Sequence, residues 1–317
     1  MSDVIEGPKV AIIMPTYKRN ADSVVLSIKS VLNQTYQNIE LWLIDDNGIR
    51  ESSSLESYRL EISKMVQELD SEKIVYIKNE HNIGGALARN VGIFSTDCEY
   101  ITFLDDDDRY LPQKVESQLK HMLCNNLDVS FTDLGLYDEE DKLTDYREYS
   151  KIKHFDTQSL LRYHLTRQIT GTPTFMCKKS VLTTIGGFDD ACMGQEYYLM
   201  FKIISSGCSI GYIPHSDVVA YRTAKEAISN GPNKIKGEML LYTFKRSKFD
   251  ILSGSERRFV RFRHYVIMCV ASLRRKKYLS ATKYICIAFI ASPLDAFAEA
   301  FGFFQRRIKN IESTRDG

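Results

Sequence analysis

The sequence predicts an α/β protein with a mostly parallel sheet that helices cover on both faces. Short apolar runs alternate along the chain with helical segments of about 10–15 residues, the pattern that parallel strands and their crossover helices produce. Polar residues follow each apolar run, as expected where strands open into ligand-binding loops. The composition, 44% hydrophobic and 26% charged over 317 residues, is that of an ordinary globular protein.

Five apolar runs predict strands, because each is short and rich in β-branched or aromatic residues. In chain order they are Lys9–Met14, Ile39–Ile44, Ile74–Ile77, Tyr100–Leu104 and Asp128–Thr132. The first strand is expected to stop at Pro15.

The segments between these runs predict helices. The clearest is Ala21–Leu32, in which Val24, Ile28 and Val31 fall on one face. The other predicted helices are Leu55–Leu69, Gly84–Phe94, Pro112–Leu123 and, later in the chain, Tyr197–Ser205.

The loops after the first four strands carry the residues that are suited to chemistry. They are Pro15-Thr16-Tyr17, Asp45-Asp46-Asn47-Gly48, the segment Asn79–Gly85 and a run of four aspartates. Because ligands of open α/β sheets bind outside the carboxyl ends of the strands, we expect these loops to share one rim. A cation and a phosphorylated ligand suit this rim better than a neutral metabolite does.

The four aspartates, Asp105 to Asp108, directly follow a predicted buried strand. Two carboxylates about 6 Å apart repel by roughly 3 kcal/mol at an effective dielectric constant of about 20, so a bound cation is expected. Alternation along an extended segment aims Asp105 and Asp107 to the same side, where they suit Mg²⁺ or Mn²⁺. The alternative is a solvated acidic turn, with Asp108 or a neighbour capping the helix near Pro112.

Several other classes lack their sequence signals. The first strand is not followed by GxGxxG, and GxxxxGK[ST] does not occur, which argues against dinucleotide and P-loop folds. The 7 cysteines show no CxxC spacing, so neither a zinc site nor a disulfide framework is indicated. The acidic start has no signal-peptide core and no apolar run approaches about 18 residues, so we expect a cytoplasmic body.

At these residues the chain resembles glycosyltransferase family 2, whose members have the Rossmann-like GT-A fold and use nucleotide-diphosphate sugars. The stretches that carry the resemblance, over roughly residues 8–222, are VAIIMPTYKR, SVLNQTYQNIE, LWLIDDNG, NEHNIGGALARNVGI, YITFLDDDD, IGGFDD and GQEYYLMFKI. It implies a metal-assisted transfer with inversion, and a GT-A domain over residues 7–225.

The resemblance also implies roles for residues at the donor end of the rim. Pro15, Thr16 and Tyr17 line the base pocket, with Tyr17 packing on the base, and Asp46 accepts a hydrogen bond from it, commonly from uracil. Arg89 contacts the nucleotide or its diphosphate. The structural alternatives are a turn-forming role for Asp46 before Asn47-Gly48 and a surface ion pair for Arg89.

The resemblance also implies roles for residues near the sugar that is transferred. Asp105 and Asp107 match the outer residues of a DxD metal site, in which Asp107 is the best candidate ligand. Asp106 is expected near the ribose. Glu196, opening a helix after the turn Gly186–Asp189, takes the position of the general base, one methylene longer than the usual aspartate. Its alternative role is that of an acid favoured by a helix N-terminus. We expect nearby aspartates to raise the pKa of Glu196 closer to the pH at which a general base works.

One departure from the family concerns a histidine that often follows Tyr-Arg as a further metal ligand. Here Tyr221-Arg222-Thr223 is followed by Ala224, and His215, upstream, is expected to be structural. The metal would then be held by fewer protein groups and more by the diphosphate, with Arg222 or Lys225 offsetting phosphate charge.

The C-terminal residues, 226–317, predict a basic, amphipathic helical extension. From residue 232 onward there are 18 Lys and Arg against 7 Asp and Glu, whereas the body is acidic. Basic residues flanking the apolar runs Tyr265–Leu273, Tyr278–Leu294 and Phe297–Phe304 suit helices lying on an anionic membrane surface. The alternative is a tail packed on the catalytic domain or on a second subunit; no nucleic-acid recognition motif is present.

The resemblance therefore implies a metal-dependent hexosyl- or N-acetylhexosaminyltransferase that uses a UDP-linked donor and Mn²⁺ or Mg²⁺. The expected acceptor is a glycan hydroxyl, lipid-linked, in bacterial surface polysaccharide synthesis at the inner face of the cytoplasmic membrane. Two alternatives stay open at this point: a non-catalytic sugar- or nucleotide-binding module with the same fold, and a sugar nucleotidyltransferase.

Overall fold

The computed structural model describes residues 7–49, 55–69, 71–191, 193–222 and 232–297. The described residues form two compact units. The first lies within residues 1–160, 169–191 and 195–227, and the second within 161–168, 192–194 and 228–317. The expected domain boundary between residues 225 and 226 falls outside the described residues, so it stays a prediction.

Eleven strands are present in the described part of the first unit. They are β1 Val10–Thr16, β2 Ile39–Asp45, β3 Ile74–Lys78, β4 Tyr100–Phe103, β5 Arg109–Tyr110, β6 Val129–Thr132, β7 Leu134–Tyr137, β8 Leu143–Arg147, β9 Met176–Lys178, β10 Ile210–Ile213 and β11 Val218–Tyr221. The five predicted strands correspond to β1, β2, β3, β4 and β6.

The main sheet has the strand order β10-β6-β9-β4-β1-β2-β3. Strand β1 runs parallel to both of its neighbours, β2 and β4, and the β2–β3 and β6–β10 pairs are parallel as well. Strand β9 is antiparallel to β4 and to β6, between which it lies. The predicted mostly parallel sheet is therefore confirmed, with one antiparallel strand inserted.

The prediction that the first strand stops at Pro15 is wrong. Pro15 pairs in register with Ile44, and Thr16 pairs with Asp45. Proline lacks a backbone N–H, but its neighbour Thr16 still accepts a hydrogen bond from the Asp46 N–H, at 2.9 Å. The continuing ladder carries β1 two residues further toward the rim than expected.

Seven helices begin in the described part of the first unit. They are α1 Ala21–Leu32, α2 Glu56–Leu69, α3 Gly85–Ser95, α4 Lys114–Cys124, α5 Thr157–Arg167, α6 Lys179–Thr184 and α7 Gln195–Ser205. Asn20 caps α1 by accepting a hydrogen bond from the Asp22 N–H, and Val24, Ile28 and Val31 of that helix are buried in the core. Helix α4 starts without a side-chain cap, so Asp108 is not its cap as the acidic-turn alternative proposed.

A second sheet, of order β5-β11-β7-β8, stands beside the main one in the same unit. Strand β11 is parallel to β7 and antiparallel to β5, and β7 and β8 form an antiparallel pair. Arg147 ends β8. This sheet uses part of the region between residues 133 and 175 to which the sequence analysis assigned no elements.

The second unit contains α8 Pro232–Ser247, α9 Gly254–Arg274 and α10 Tyr278–Ala291, so the predicted helical extension is present. A reciprocal pair of hydrogen bonds between Ser253 and Glu256 caps α9. Glu256 also pairs with Arg162, 3.0 Å from its guanidinium. None of the helices in the described ranges combines the length and the apolar character needed to cross a bilayer. The predicted run Phe297–Phe304 lies outside these ranges except for Phe297.

A prediction about stability follows from the contact between α3 and β1. A Cβ atom on Gly92 would lie 2.7 Å from a side-chain methyl of the fully buried Ile13. We expect Gly92→Ala to lower the free energy of unfolding by about 1–3 kcal/mol, measured by urea denaturation, because the core has no room for the methyl group. Ser95→Ala, on an exposed position of the same helix, should leave stability nearly unchanged; equal stability of the two variants would contradict this close contact.

Candidate functional site

The carboxyl ends of β1, β2 and β4 meet at one edge of the main sheet. Because β1 lies parallel to and between the other two strands, the loops that follow all three open on the same side. The three polar loops, after Thr16, after Asp45 and after Phe103, are thereby brought together as the sequence predicted.

Arg19 holds two of the four aspartates. Its Nε donates to an Asp106 carboxylate oxygen at 3.0 Å, and its Nη2 lies 2.9 Å from an Asp107 oxygen. The sequence analysis missed this residue. The sequence did contain a signal for this contact. Arg19 lies in the loop after β1, and the aspartates lie in the loop after the neighbouring strand β4.

Arg89 connects the acidic loop to the start of α7. One guanidinium nitrogen forms an ion pair with Asp105, and the other terminal nitrogen lies 3.4 Å from Gln195 Oε1. The guanidinium also stands 5.6 Å from the centre of the Phe188 ring. The side chain is buried, and its Nε has no hydrogen-bond partner in the described structure. Arg89 is therefore not the exposed surface pair that the alternative proposed, and its contact with phosphate stays a prediction.

The acidic loop has four carboxyl groups and contacts two arginines, Arg19 and Arg89. Burial raises the pKa of Asp107 to about 6; Arg19 opposes this shift, and Asp105 and Asp106 add to it. Burial also raises the pKa of Asp106, and it raises that of Asp108 well above the usual range. Asp108 is enclosed and accepts a hydrogen bond from the Tyr221 N–H at 2.9 Å, which gives it a structural role.

The donor set of this loop fits a hard divalent cation, because it offers carboxylate oxygens. Asp105 and Asp107 are the two partly exposed members of the run, with about a third of each side chain accessible. Among the residues that the structure describes, no group of three or more His, Cys, Asp or Glu side chains is placed to hold a metal ion. A cation at this position would therefore depend on the diphosphate for further ligands.

The residues considered near the family's further metal ligand are His215, Arg222, Ala224 and Lys225. His215 pairs with Asp217, with 3.0 Å between Nε2 and the carboxylate oxygen, in keeping with its expected structural role. Arg222 is exposed, and its backbone N–H donates a hydrogen bond to the Tyr137 carbonyl oxygen. Ala224 and Lys225 lie outside the described residues.

Glu196 is the second residue of α7 and is half-buried. Burial is the main cause that raises its pKa; the Asp105 charge adds to the rise, whereas Arg89 and Arg147 oppose it. The expected influence of an aspartate is thus present but smaller than that of burial. Because the charges of Arg89 and Asp105 both act on the pKa of Glu196, this carboxyl group lies near the acidic loop.

The turn before α7 depends on Asn90 of α3. The Asn90 side chain accepts from the Phe188 N–H at 2.7 Å and donates to the Phe188 carbonyl oxygen at 2.8 Å. Gly187 has a φ of +65°, and a Cβ there would lie 2.3 Å from the Asn90 Oδ1. Both the tight turn and the close approach of α3 therefore require glycine. The sequence analysis did not identify Asn90.

Asp46 is fully enclosed by the loop that follows β3. Each carboxylate oxygen accepts two hydrogen bonds, one from the side-chain amide of Asn79 or Asn82 and one from the backbone N–H of Ile83 or Gly84. These bonds shape the approach to α3. They differ from the expected Asx turn, which Asp45 makes instead with Asn47. A contact between Asp46 and the base stays a prediction.

The residues expected around the base lie at the end of β1 and just beyond it. Thr16 is buried and Pro15 is half-buried. Tyr17 is 41% exposed, so a face of its ring is accessible to a ligand, and the Lys18 ammonium lies 5.0 Å from the ring centre. This arrangement is compatible with the predicted stacking role.

Comparison with known proteins identifies the family and the fold. The family model described as "Glycosyl transferase family 2" matches residues 11–184, more than half of the chain. The chain belongs to this family. The fold is the GT-A fold of two solved structures. S. aureus TarS in complex with UDP-GlcNAc shares 15% identity and a TM-score of 0.56 over 87% of this chain and 90% of that one. Mannosyltransferase PcManGT from Pyrobaculum calidifontis, in complex with GDP-Man and Mn²⁺, shares 15% identity and a TM-score of 0.57 over 93% of this chain and 81% of that one.

Sequence relatives include an uncharacterized glycosyltransferase of Methanocaldococcus jannaschii, 27% identical over 64% of this chain and 67% of its own length. An uncharacterized glycosyltransferase of Haemophilus influenzae is 39% identical over 42% of this chain and 50% of that protein. The Escherichia coli UDP-Glc:alpha-D-GlcNAc-diphosphoundecaprenol beta-1,3-glucosyltransferase WfgD is 37% identical over 38% of this chain and 44% of that protein. The match thus spans half or less of the latter two relatives.

The enclosure of Asp46 generates a prediction. We expect Asp46→Ala to lower the free energy of unfolding by about 3 kcal/mol or more, because four donors lose a charged acceptor. Hydrogen–deuterium exchange should also become faster at the Ile83 and Gly84 amides. Glu72→Ala, at an exposed acidic residue, is the matched control. Unchanged exchange at these two amides would show that the carboxylate does not hold the loop.

Proposed function

We propose that this protein transfers a sugar from a nucleotide-diphosphate donor to a hydroxyl group of a glycan acceptor, with inversion at the anomeric carbon. The observation that carries the proposal is the contact of Arg89 with both Asp105 and Gln195. This contact supports the proposal because it joins the acidic loop, suited to a cation and diphosphate, to the start of the helix that carries Glu196, a half-buried glutamate suited to accept a proton.

In the proposed step, the acceptor hydroxyl oxygen attacks the anomeric carbon and the nucleoside diphosphate departs. Glu196 takes the hydroxyl proton, so the attacking oxygen becomes the glycosidic oxygen without carrying a charge. Burial raises the pKa of Glu196, which makes the ionised carboxylate a stronger base than an ordinary one. Arg89 would offset charge on the leaving diphosphate.

Asp107 and Asp105 are the residues that would hold Mn²⁺ or Mg²⁺ together with the diphosphate. When bound, the ion supplies Lewis-acid stabilisation to the leaving group. The partial exposure of these two carboxyl groups supports this assignment, as does the Mn²⁺ in the PcManGT complex. Pro15, Thr16 and Tyr17 would form the base pocket, and Asp106 would lie near the ribose. A base contact of Asp46 would have to compete with the four hydrogen bonds that its carboxylate accepts from the loop.

We further propose a UDP-linked hexose or N-acetylhexosamine as donor and a lipid-linked glycan as acceptor, in bacterial surface polysaccharide synthesis at the inner face of the cytoplasmic membrane. Support comes from TarS, solved with UDP-GlcNAc, and from WfgD, whose name specifies UDP-Glc and a diphosphoundecaprenol acceptor. GDP-Man in the PcManGT complex is the reason to test a second nucleotide.

The test is donor hydrolysis and transfer across a panel of UDP-, GDP- and dTDP-linked sugars, each with Mn²⁺. We expect one donor class to be cleaved well above the others, with release of the nucleoside diphosphate. Formation of the nucleoside triphosphate and the sugar 1-phosphate from the donor and added pyrophosphate would instead indicate a nucleotidyltransferase. Binding without cleavage of any donor, in the presence of glycan acceptors, would indicate a binding module.

Glu196→Gln should lower the transfer rate by about 10²–10⁴-fold while leaving donor binding nearly intact, because the amide cannot accept the proton. In the wild type, transfer should fall with decreasing pH as Glu196 becomes protonated, at a pH above the ordinary glutamate pKa because burial raises it. Arg147→Gln should move this acid limb to higher pH, since the Arg147 charge favours the ionised carboxylate. Rates and binding are measured with the donor that the panel identifies.

The control for this variant is Glu140→Gln, in the exposed turn between β7 and β8, which should leave rate and pH profile unchanged. Wild-type turnover by Glu196→Gln would remove Glu196 from the mechanism.

Asp107→Asn should weaken Mn²⁺ binding in the presence of UDP by at least about tenfold, since even outer-shell partners of a metal contribute that much. The measurement is the rise in melting temperature on adding Mn²⁺ to the UDP-bound protein, which reports binding to the folded state. Asp97→Asn, at a fully exposed carboxylate, is the control. A wild-type rise that Asp107→Asn retains in full would place the ion elsewhere.

A further inference from the structure

The outward face of α10 is apolar. Ala281 and Ala288 are the buried residues of this helix, whereas Leu279 and Ile290 are 91% and 78% exposed. Beyond the helix, Leu294 is 84% exposed. Exposed leucine and isoleucine side chains grouped in this way are of the kind that marks an interaction surface.

The apolar surface extends past both ends of α10. The rings of Phe289 and Phe297 contact each other edge to face, with centroids 5.5 Å apart, which continues the surface beyond the helix C-terminus. Near the other end, Met239 and Leu240 of α8 are exposed and line a groove of about 400 Å³ together with Arg275. We call the exposed side chains of residues 239, 240, 279, 290, 294 and 297 the apolar face.

Basic residues accompany the apolar face. Arg275, Lys276 and Lys277 are exposed in the turn before α10, and Lys283 is exposed within the helix. From residue 275 to residue 297 the sequence holds one acidic side chain, Asp295, which accepts a hydrogen bond from the Ser292 hydroxyl at 2.5 Å. The surface therefore combines apolar side chains with a nearly uncompensated positive charge.

We propose that the apolar face docks on a membrane surface that contains anionic lipid. Leucine, isoleucine and phenylalanine side chains would enter the boundary between headgroups and acyl chains, while the lysines and Arg275 contact the lipid phosphates. Two copies of the chain pairing through this face would share the same patch and bring like charges together. Charge therefore favours lipid over a second copy as the occupant.

The experiment is flotation of the full-length protein with vesicles of phosphatidylcholine, with or without phosphatidylglycerol at about one third of the lipid. We expect strong binding to the anionic vesicles and weak binding to the neutral ones. Leu279→Glu and Ile290→Glu should each lower the affinity for anionic vesicles by about tenfold or more, because an exposed apolar side chain that enters the bilayer is replaced by an acid.

Two further variants separate the charge contribution from the apolar one. Lys276→Ala and Lys277→Ala should each lower the affinity for anionic vesicles about fivefold and leave binding to neutral vesicles unchanged. The matched control is Leu60→Glu on α2, where the leucine is 62% exposed, and it should bind like the wild type. Unchanged circular dichroism of each variant shows that it is folded.

Three outcomes would overturn the proposal. They are no vesicle binding by the wild type, equal loss of binding in Leu60→Glu, and a lipid-free dimer of the wild type that Leu279→Glu converts to a monomer without either protein binding vesicles. Binding is measured without donor or acceptor, so these outcomes are independent of the sugar-transfer proposal.

Discussion

The buried guanidinium of Arg89 is the interaction on which the candidate site depends. It neutralises Asp105 at the end of β4 and reaches Gln195 at the start of α7, two elements far apart in sequence. A buried cation of this kind is held by its partners, because losing one of them would leave an uncompensated charge away from water. The acidic loop and the proposed base are therefore kept together by electrostatics as well as by the packing of the sheet.

In the neighbouring acidic loop, by contrast, the ionised groups are only partly stabilised by partners of opposite charge. Burial and mutual repulsion raise the pKa of Asp106, Asp107 and Asp108, so the ionised loop is less stable than the same groups would be in water. Arg19 relieves part of this cost. The remaining cost of ionising these carboxyl groups lies at a strand end, beside a well-packed core. Such a local loss of stability is expected where a site keeps charged groups available for a ligand.

The sequence predicted the parts of the fold that local patterns encode. The alternation of apolar runs and helices defined β1 to β4 and their crossover helices, and the polar loops of the rim followed from the parallel order. Strand β9 could not be found in this way, because three residues that pair antiparallel with β4 and β6 leave no periodic signal. Arg19 and Asn90 were missed for a related reason: their partners lie on other elements, and only the folded chain brings them within hydrogen-bond distance. Asp46 was identified, but the four donors around it are visible only in the structure.

The two hydrogen bonds of the Asn90 side chain limit which residues can occupy this position. An amide that both donates to and accepts from the backbone of residue 188 has no conservative substitute, since aspartate lacks the donor and leucine lacks both groups. The missing Cβ at residue 187 leaves the space that the amide fills. Positions 90 and 187, almost one hundred residues apart, therefore determine the shape of the same turn, and a side chain at residue 187 would displace the Asn90 amide from it.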